Sequence, residues 1–428
     1  MTKELNRNIA PKINSIESVN IPSPKKYVLS NGTEVFVFND DNQKLLKIEF
    51  VFENGGSAFT KKPLLAGIVN SLITESTKNF SSSELAEKID YYGATFETKV
   101  NPDYSSVSLY SLFGFLGETL PLLQDVLLNA NYNQKDLDIH LARRKQEFMV
   151  NSSKVDFIAR QNFTKLLFGK NHPYGKSSVV EDYDKIERDE LLAFYNDVYK
   201  NGKHKIFIAG KFGDTEFELL NSLFGTMTNC DYDENTINWE VNSNKEKYTF
   251  IKKEGAVQNA IRMGFIGLER THEDYNGLRI LTTFLGGYFG SRLMNNIRED
   301  KGYTYGIGAA HSPFAKKSVF FIATEVKTEV VDDTLKEIKL ELNRFKEELI
   351  TEEELQTVVN YLQGSFQRQF DGSLALLNRY ITLSMNNLDY SYYYQYIDKV
   401  KNITVEELKQ LANKYFSIEN FFILNVGN

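Results

Sequence analysis

The chain is written twice. Glu190-Leu191, Phe194-Tyr195 and Tyr199 precede the run Lys205–Gly210, and Glu407-Leu408 with Tyr415-Phe416 precede the run Phe421–Val426. Leu191 and Leu408 are 217 positions apart, and Tyr199 and Tyr415 are 216 apart. Leu85 and Ile89 recur 208 positions later as Leu293 and Ile297, and Asp136-Leu137 recurs 218 positions later as Glu354-Leu355. Landmarks in one order at a nearly constant spacing mark a tandem duplication of a unit of roughly 200 residues. A chain of 428 residues exceeds one ordinary core, and the duplication says where it divides. The expected layout is a polar arm over residues 1–25, a first repeat over 26–225, a linker over 226–247 that contains Asp-Tyr-Asp-Glu-Asn, and a second repeat over 248–428.

Each unit reads as α+β, a mainly antiparallel sheet faced by helices. Tyr27–Leu29 and Val35–Phe38 flank the turn Ser30-Asn-Gly-Thr33, which predicts a hairpin. Leu45–Glu53 alternates and predicts a strand that ends ahead of Gly55-Gly56. Leu64, Leu65, Ile68, Val69, Leu72 and Ile73 fall at helical spacing, and a second helix over Ser81–Tyr92 starts with serines as caps. Thr95–Leu112 alternates again, and long helices are predicted over Gly117–Ala130, Gln134–Asn151 and Phe157–Phe168.

Composition excludes several functions. A net charge of −7 argues against general nucleic-acid binding and against attraction to anionic membranes. Cys230 is the single cysteine, so neither a disulfide framework nor a cysteine metal site is expected. No apolar run approaches a membrane span, and Met1–Pro11 has no apolar stretch of the kind a signal peptide needs, so the expected location is the cytoplasm. The five histidines, at 140, 172, 204, 272 and 311, form no pair at helical spacing, and each is expected to serve packing or the surface.

The stretches Leu29-Ser-Asn-Gly32, Asn54-Gly-Gly-Ser57, Tyr92-Gly-Ala-Thr95, His172-Pro-Tyr-Gly175, Ser291-Arg-Leu and Gly302-Tyr-Thr-Tyr305 stand in a telling order along the duplicated unit. In order and spacing, over essentially the whole chain, they resemble the pitrilysin/insulinase-like, processing-peptidase-like zinc metallopeptidases. That resemblance implies a His-x-x-Glu-His motif on the first helix of the first repeat, with both histidines on one helix face and the glutamate activating the zinc-bound water. A second glutamate about 75 residues on would complete the site. Laid on Leu64–Thr77, the motif falls on Gly67 and Ser71 at the histidine positions and on Asn70 at the glutamate position. Glycine has no ligand atom, serine is a poor zinc ligand, and an amide cannot take a proton from water. The distal acid has a counterpart in Glu147, 76 positions after Ser71. One carboxylate does not hold a zinc ion that wants three protein ligands. No metal or other cofactor is therefore expected on this chain, nor catalysis by it alone.

The resemblance leaves one pair with chemistry to offer. Arg298 and Tyr305 sit seven residues apart where a helix of the second repeat gives way to a strand. In the family, an Arg and a Tyr so placed approach the zinc and bind the substrate backbone and the developing oxyanion. The same Arg298 has Glu299 and Asp300 beside it and would also serve as a structural ion pair. Some family members divide the work between a zinc-bearing chain and a partner without zinc that supplies the Arg/Tyr pair. The resemblance thus implies a substrate-binding, non-catalytic subunit of a heterodimeric peptidase, acting on peptides or small unfolded proteins with a zinc-bearing partner of the same family. The alternatives are a catalytically dead scaffold and a peptide-binding protein of the same fold. The loop Gly286-Gly-Tyr-Phe-Gly-Ser291 ahead of the Arg-bearing helix reads equally as a flexible entry and as a tight helix–helix turn.

Overall fold

The computed structural model describes Arg7 and residues 20–230 and 237–428. Most of the expected arm, and residues 231–236 of the expected linker, lie outside the described residues. The first half contributes strands β1 (Lys25–Val28), β2 (Glu34–Asn39), β3 (Leu45–Phe52), β4 (Thr95–Val100), β5 (Ser105–Leu112) and β6 (His204–Gly210). Its helices are α1 (Leu65–Leu72), α2 (Ser82–Tyr91), α3 (Leu116–Asn129), α4 (Gln134–Asn151), α5 (Val155–Phe168), α6 (Arg188–Tyr195) and α7 (Asp214–Phe224). The second half contributes β7 (Tyr248–Lys252), β8 (Asn259–Gly267), β9 (Ile307–Pro313), β10 (Ser318–Val326) and β11 (Phe422–Gly427). With them come α8 (Tyr275–Thr282), α9 (Val331–Glu347), α10 (Glu352–Arg368), α11 (Ser373–Ser384), α12 (Ser391–Asn402) and α13 (Val405–Tyr415).

Two mixed sheets result. The first runs β1-β2-β6-β3-β5-β4 and the second β7-β11-β8-β10-β9. β2 pairs parallel with β6 as β7 pairs parallel with β11, while the pairs from there outward are antiparallel. The five-strand order is thus the same in both, with β1 added to the first. Local chemistry sets the element ends. Gly32 takes φ 85° in the turn after β1, and Ser81 with Glu84 closes a capping box on α2. Asn133, Thr351 and Thr404 cap α4, α10 and α13 by accepting a backbone N–H.

Strand β3 departs from its expected alternation. Leu46, Ile48, Phe50 and Phe52 point into the core of the first half, as the pattern says. The opposite face is buried too, and there Lys47 pairs with Glu49 at 2.5 Å inside the protein. The reason is a helix from the far end of the chain. Leu377 and Ile381 of α11 pack on Phe36, Phe38, Val51, Phe207 and Ala209 of the first sheet. The reverse also holds, since Val155, Ala159, Phe163 and Leu167 of α5 pack with Ala260, Val319, Phe422, Leu424 and Val426 of the second sheet. Val155 and Ser373, the first residues of α5 and α11, stand 218 positions apart, the spacing of Asp136 and Glu354. Each half lends the equivalent helix to cover the other half's sheet. Arg262 of β8 reaches Asp156 of α5 at 3.0 Å, and Ile21, ahead of β1, is buried in the core of the second half.

The exchange predicts that neither half is stable without the other. Leu377→Ala, in the second half, removes a fully buried side chain and should lower stability by about 2–5 kcal/mol. Hydrogen exchange should then accelerate in β2 and β6 of the first half; a loss of protection confined to α11 would contradict the coupling.

Candidate functional site

Helix α1 carries the positions where a zinc motif would sit. Ile68, Val69 and Leu72 anchor it in the first core, which leaves Gly67 and Ser71, one turn apart, on a half-exposed face. A Cβ built on Gly67 meets nothing within 4 Å, so a larger side chain has room there and the glycine supplies no ligand. Asn70 points inward and is buried. Its Nδ2 donates to the Ser106 carbonyl at 3.1 Å and to the Tyr199 hydroxyl at 3.0 Å. Tyr199, from a π-helical turn that follows α6, donates its hydroxyl hydrogen bond to Ser105 Oγ at 2.9 Å. Burial pushes the Tyr199 phenol well above its ordinary pKa, so it stays a neutral donor. A carboxylate at position 70 would face the Ser106 carbonyl without the two donated protons that now satisfy this buried corner.

Glu147, the counterpart of the distal acid, is exposed on α4 and pairs with Arg144 at 3.0 Å. Among the described residues no cluster of three or more His, Cys, Asp or Glu side chains could hold a metal ion. Gly67, Asn70, Ser71 and Glu147 do not fit zinc, because one ligand atom is missing, one side chain is committed to internal donation, and the carboxylate is engaged on the surface. Of the histidines, 140, 172 and 204 are buried, and none lies in a ligand set. His172 accepts the Tyr174 N–H at 3.0 Å, and His204 Nδ1 lies 3.0 Å from the Gly202 carbonyl, both packing roles.

The second candidate group lies beyond α8. The chain continues from α8 through a π-helical turn (Thr283–Gly287), crosses Tyr288–Gly290, and enters a second π-helical segment (Met294–Asp300). The intervening loop is a tight turn in which the Ser291 N–H donates to the Tyr288 carbonyl at 3.1 Å. Gly286 is required there, since a Cβ would stand 2.5 Å from the Ala309 nitrogen of β9. Gly302, at φ 65°, ends the helix, and the Tyr303 N–H closes onto the Ile297 carbonyl at 3.0 Å.

This frame brings Arg298 out of the helix end and Tyr305 out of the loop before β9. Tyr305 is 92 % exposed, and its hydroxyl has no hydrogen-bond partner among the described residues. Arg298 is not free. Its guanidinium pairs with Glu299 at 2.5 Å and lies over the Phe289 ring at 4.7 Å. Phe289 is itself 67 % exposed, an apolar side chain that sequence reading passed over. An ion pair between exposed sequence neighbours contributes only ~0–1 kcal/mol, so it holds Arg298 weakly against a better acceptor. In the sequence Tyr199 stands only as a landmark of the repeat, and its tie to Asn70 has no signature in spacing.

Residues 185–362 match the family model described as the peptidase M16 inactive domain. The chain is similar over 398 residues, at 22% identity, to a protein of Bacillus subtilis (strain 168) called uncharacterized zinc protease YmxG, covering 92% of this chain and 96% of that one. It is as similar, 22% over 410 residues and 93% of each, to a protein of Helicobacter pylori (strain ATCC 700392 / 26695) called non-peptidase homolog YmxG. In fold it matches a crystal structure of a peptidase M16 inactive domain from Pseudomonas fluorescens, with a TM-score of 0.84 at 21% identity over 94% of this chain and 98% of that one. The relatives' names disagree about activity, and equal identity does not choose between them. The residues at positions 67, 70 and 71 therefore carry the decision.

Proposed function

We propose, from the premise that this chain belongs to the peptidase M16 family, that it is the non-catalytic, substrate-binding subunit of a two-chain zinc metallopeptidase. The zinc and the water-activating glutamate are on a partner of the same family, and this chain presents Arg298 and Tyr305 to a peptide or small unfolded protein. The observation that carries the reading is Tyr305. A tyrosine this exposed fills no core, its hydroxyl is unengaged, and it follows the Arg-bearing helix at the family's spacing. A phenol so placed donates one hydrogen bond where negative charge develops, and the guanidinium adds a fork of donors for a backbone carbonyl. Phe289, under the guanidinium, offers apolar surface to a neighbouring substrate side chain.

A scaffold of the same fold draws support from the Arg298–Glu299 pair, which gives the arginine a local use. The two readings separate on activity. The chain is to be co-expressed with a protein from the same genome that carries His-x-x-Glu-His, and peptide hydrolysis measured for each alone and for the pair. The expected result is chelator-sensitive hydrolysis by the pair and none by this chain. A partner equally active without this chain would leave only the scaffold reading, and chelator-sensitive cleavage by this chain alone would overturn both.

A further inference from the structure

A cavity of 280 Å³ lies under α8, where it faces β9 and the helices α11 and α12. Its walls carry three arginines: Arg270 from the turn before α8, Arg279 from α8 and Arg379 from α11. None of the three forms an ion pair among the described residues. The Nε atoms of Arg270 and Arg379 and both ring nitrogens of His311 are buried without a hydrogen-bond partner. Arg270 has only a long contact to the Tyr392 hydroxyl, at 3.4 Å. Arg279 lies over the Tyr396 ring at 4.2 Å and the Tyr275 ring at 5.7 Å, and it forms no hydrogen bond or ion pair among the described residues. The nearby acid is Asp103, and its oxygens already accept from the Tyr174 hydroxyl at 2.5 Å and the Ala315 N–H at 2.9 Å.

Three half-buried guanidinium charges that share one cavity without an ion-pair partner repel one another, and the unpaired buried Nε donors add to the penalty. Among the described residues Asp103 offsets Arg270 only at a distance, and no carboxylate forms an ion pair with any of the three. A single carboxylate would neutralise one of the three, whereas a phosphate dianion brings two charges and acceptor oxygens matched to the arginine fork. The cavity has the volume of about nine waters, room for a phosphate and part of what bears it. We propose that this cavity is an anion-binding site for a phosphate group, gripped by Arg270, Arg279 and Arg379, with His311 and the Tyr392 hydroxyl completing the shell. His311 enters as a neutral ring, because burial and then Arg279 push its pKa down to about 3, so it donates one N–H and accepts at the other nitrogen.

The site stands independently of the peptide reading, and its test uses the full chain without a partner. Isothermal titration and thermal unfolding are to be followed with inorganic phosphate, with adenosine triphosphate and with phosphoserine, against sodium chloride at equal ionic strength. The expected result is saturable binding by at least one of the three and a melting temperature raised by about 2 °C or more at ligand well above Kd. Tightest binding of inorganic phosphate assigns the site to the free ion; tighter binding of either ester assigns it to a phosphorylated molecule. Arg279→Met should weaken binding by at least about tenfold while leaving the ligand-free melting temperature unchanged or higher, since an uncompensated buried cation is gone. Arg379→Gln provides the same comparison if Arg279→Met fails to fold. No saturable binding by the wild type at about 10 mM of any probe would overturn the proposal. So would binding that both variants retain undiminished, which would mark an adventitious ion only.

Discussion

Acidification from about pH 7 to about pH 4 is expected to remove several kcal/mol of stability, because the histidines at 140, 172, 204 and 311 are held neutral by burial. His140 shows the sign and the size. It is buried on α4, and burial first, then Arg143 and Arg144, pushes its pKa from 6.5 down to about 4. Below pH ~6.5 the unfolded chain takes a proton that the folded chain refuses, so stability falls as pH falls, down to the folded value. Each pH unit between the unfolded and folded pKa of His140 is worth about 1.4 kcal/mol, so His140 alone accounts for on the order of 3 kcal/mol. Urea titrations across this range should show a midpoint that falls steadily on the acid side of pH ~6.5. His140→Gln, which cannot titrate, should flatten part of that slope. A midpoint that stays level between about pH 6.5 and about pH 4.5, or the same slope with glutamine at 140, would mean that these rings are solvated and not buried.

What could be read from the chain alone was what repeats or alternates locally. The Leu85/Leu293 and Asp136/Glu354 spacings exposed the duplication, and the even positions of β3 named the core face correctly. The odd face of β3 was not legible, because Lys47 and Glu49 look like solvent residues until Leu377 and Ile381 arrive from more than 300 positions away. The equal spacing of α5 and α11 was present in the numbers, but no local pattern says that each helix covers the opposite sheet. At positions 67, 70 and 71 residue type alone argues against the zinc chemistry. That Asn70 is bound to Tyr199 needed coordinates, since an amide's partner leaves no trace in spacing. The acids at 299 and 300 were both in reach of Arg298 by sequence, and the helix end chooses Glu299. The arginine cavity was invisible for the same reason as the exchanged helix: residues 270, 279, 311 and 379 share no motif and converge only through the packing of α8, β9 and α11.

If this chain is the substrate-binding half of a two-chain peptidase, as proposed, Tyr305→Phe and Arg298→Ala in the assembled pair are each expected to lower turnover on the order of 10²–10³-fold, with folding and partner association intact. The size follows from the role, since a donor to a developing oxyanion contributes ~2.7–4 kcal/mol to the transition state. Folding should survive because Tyr305 touches no core, and because Arg298 loses only its surface pair with Glu299 and its contact with Phe289. The double variant should lose less than the product of the single losses, because both donors serve one charge. Glu299→Gln separates this role from a structural one. If Arg298 exists to pair with Glu299, the glutamine variant should lose a little stability and leave turnover unchanged. If Glu299 only parks the guanidinium between substrates, releasing it should raise turnover at low substrate. Turnover unaffected by all three substitutions would remove Arg298 and Tyr305 from the chemistry and leave the chain a scaffold.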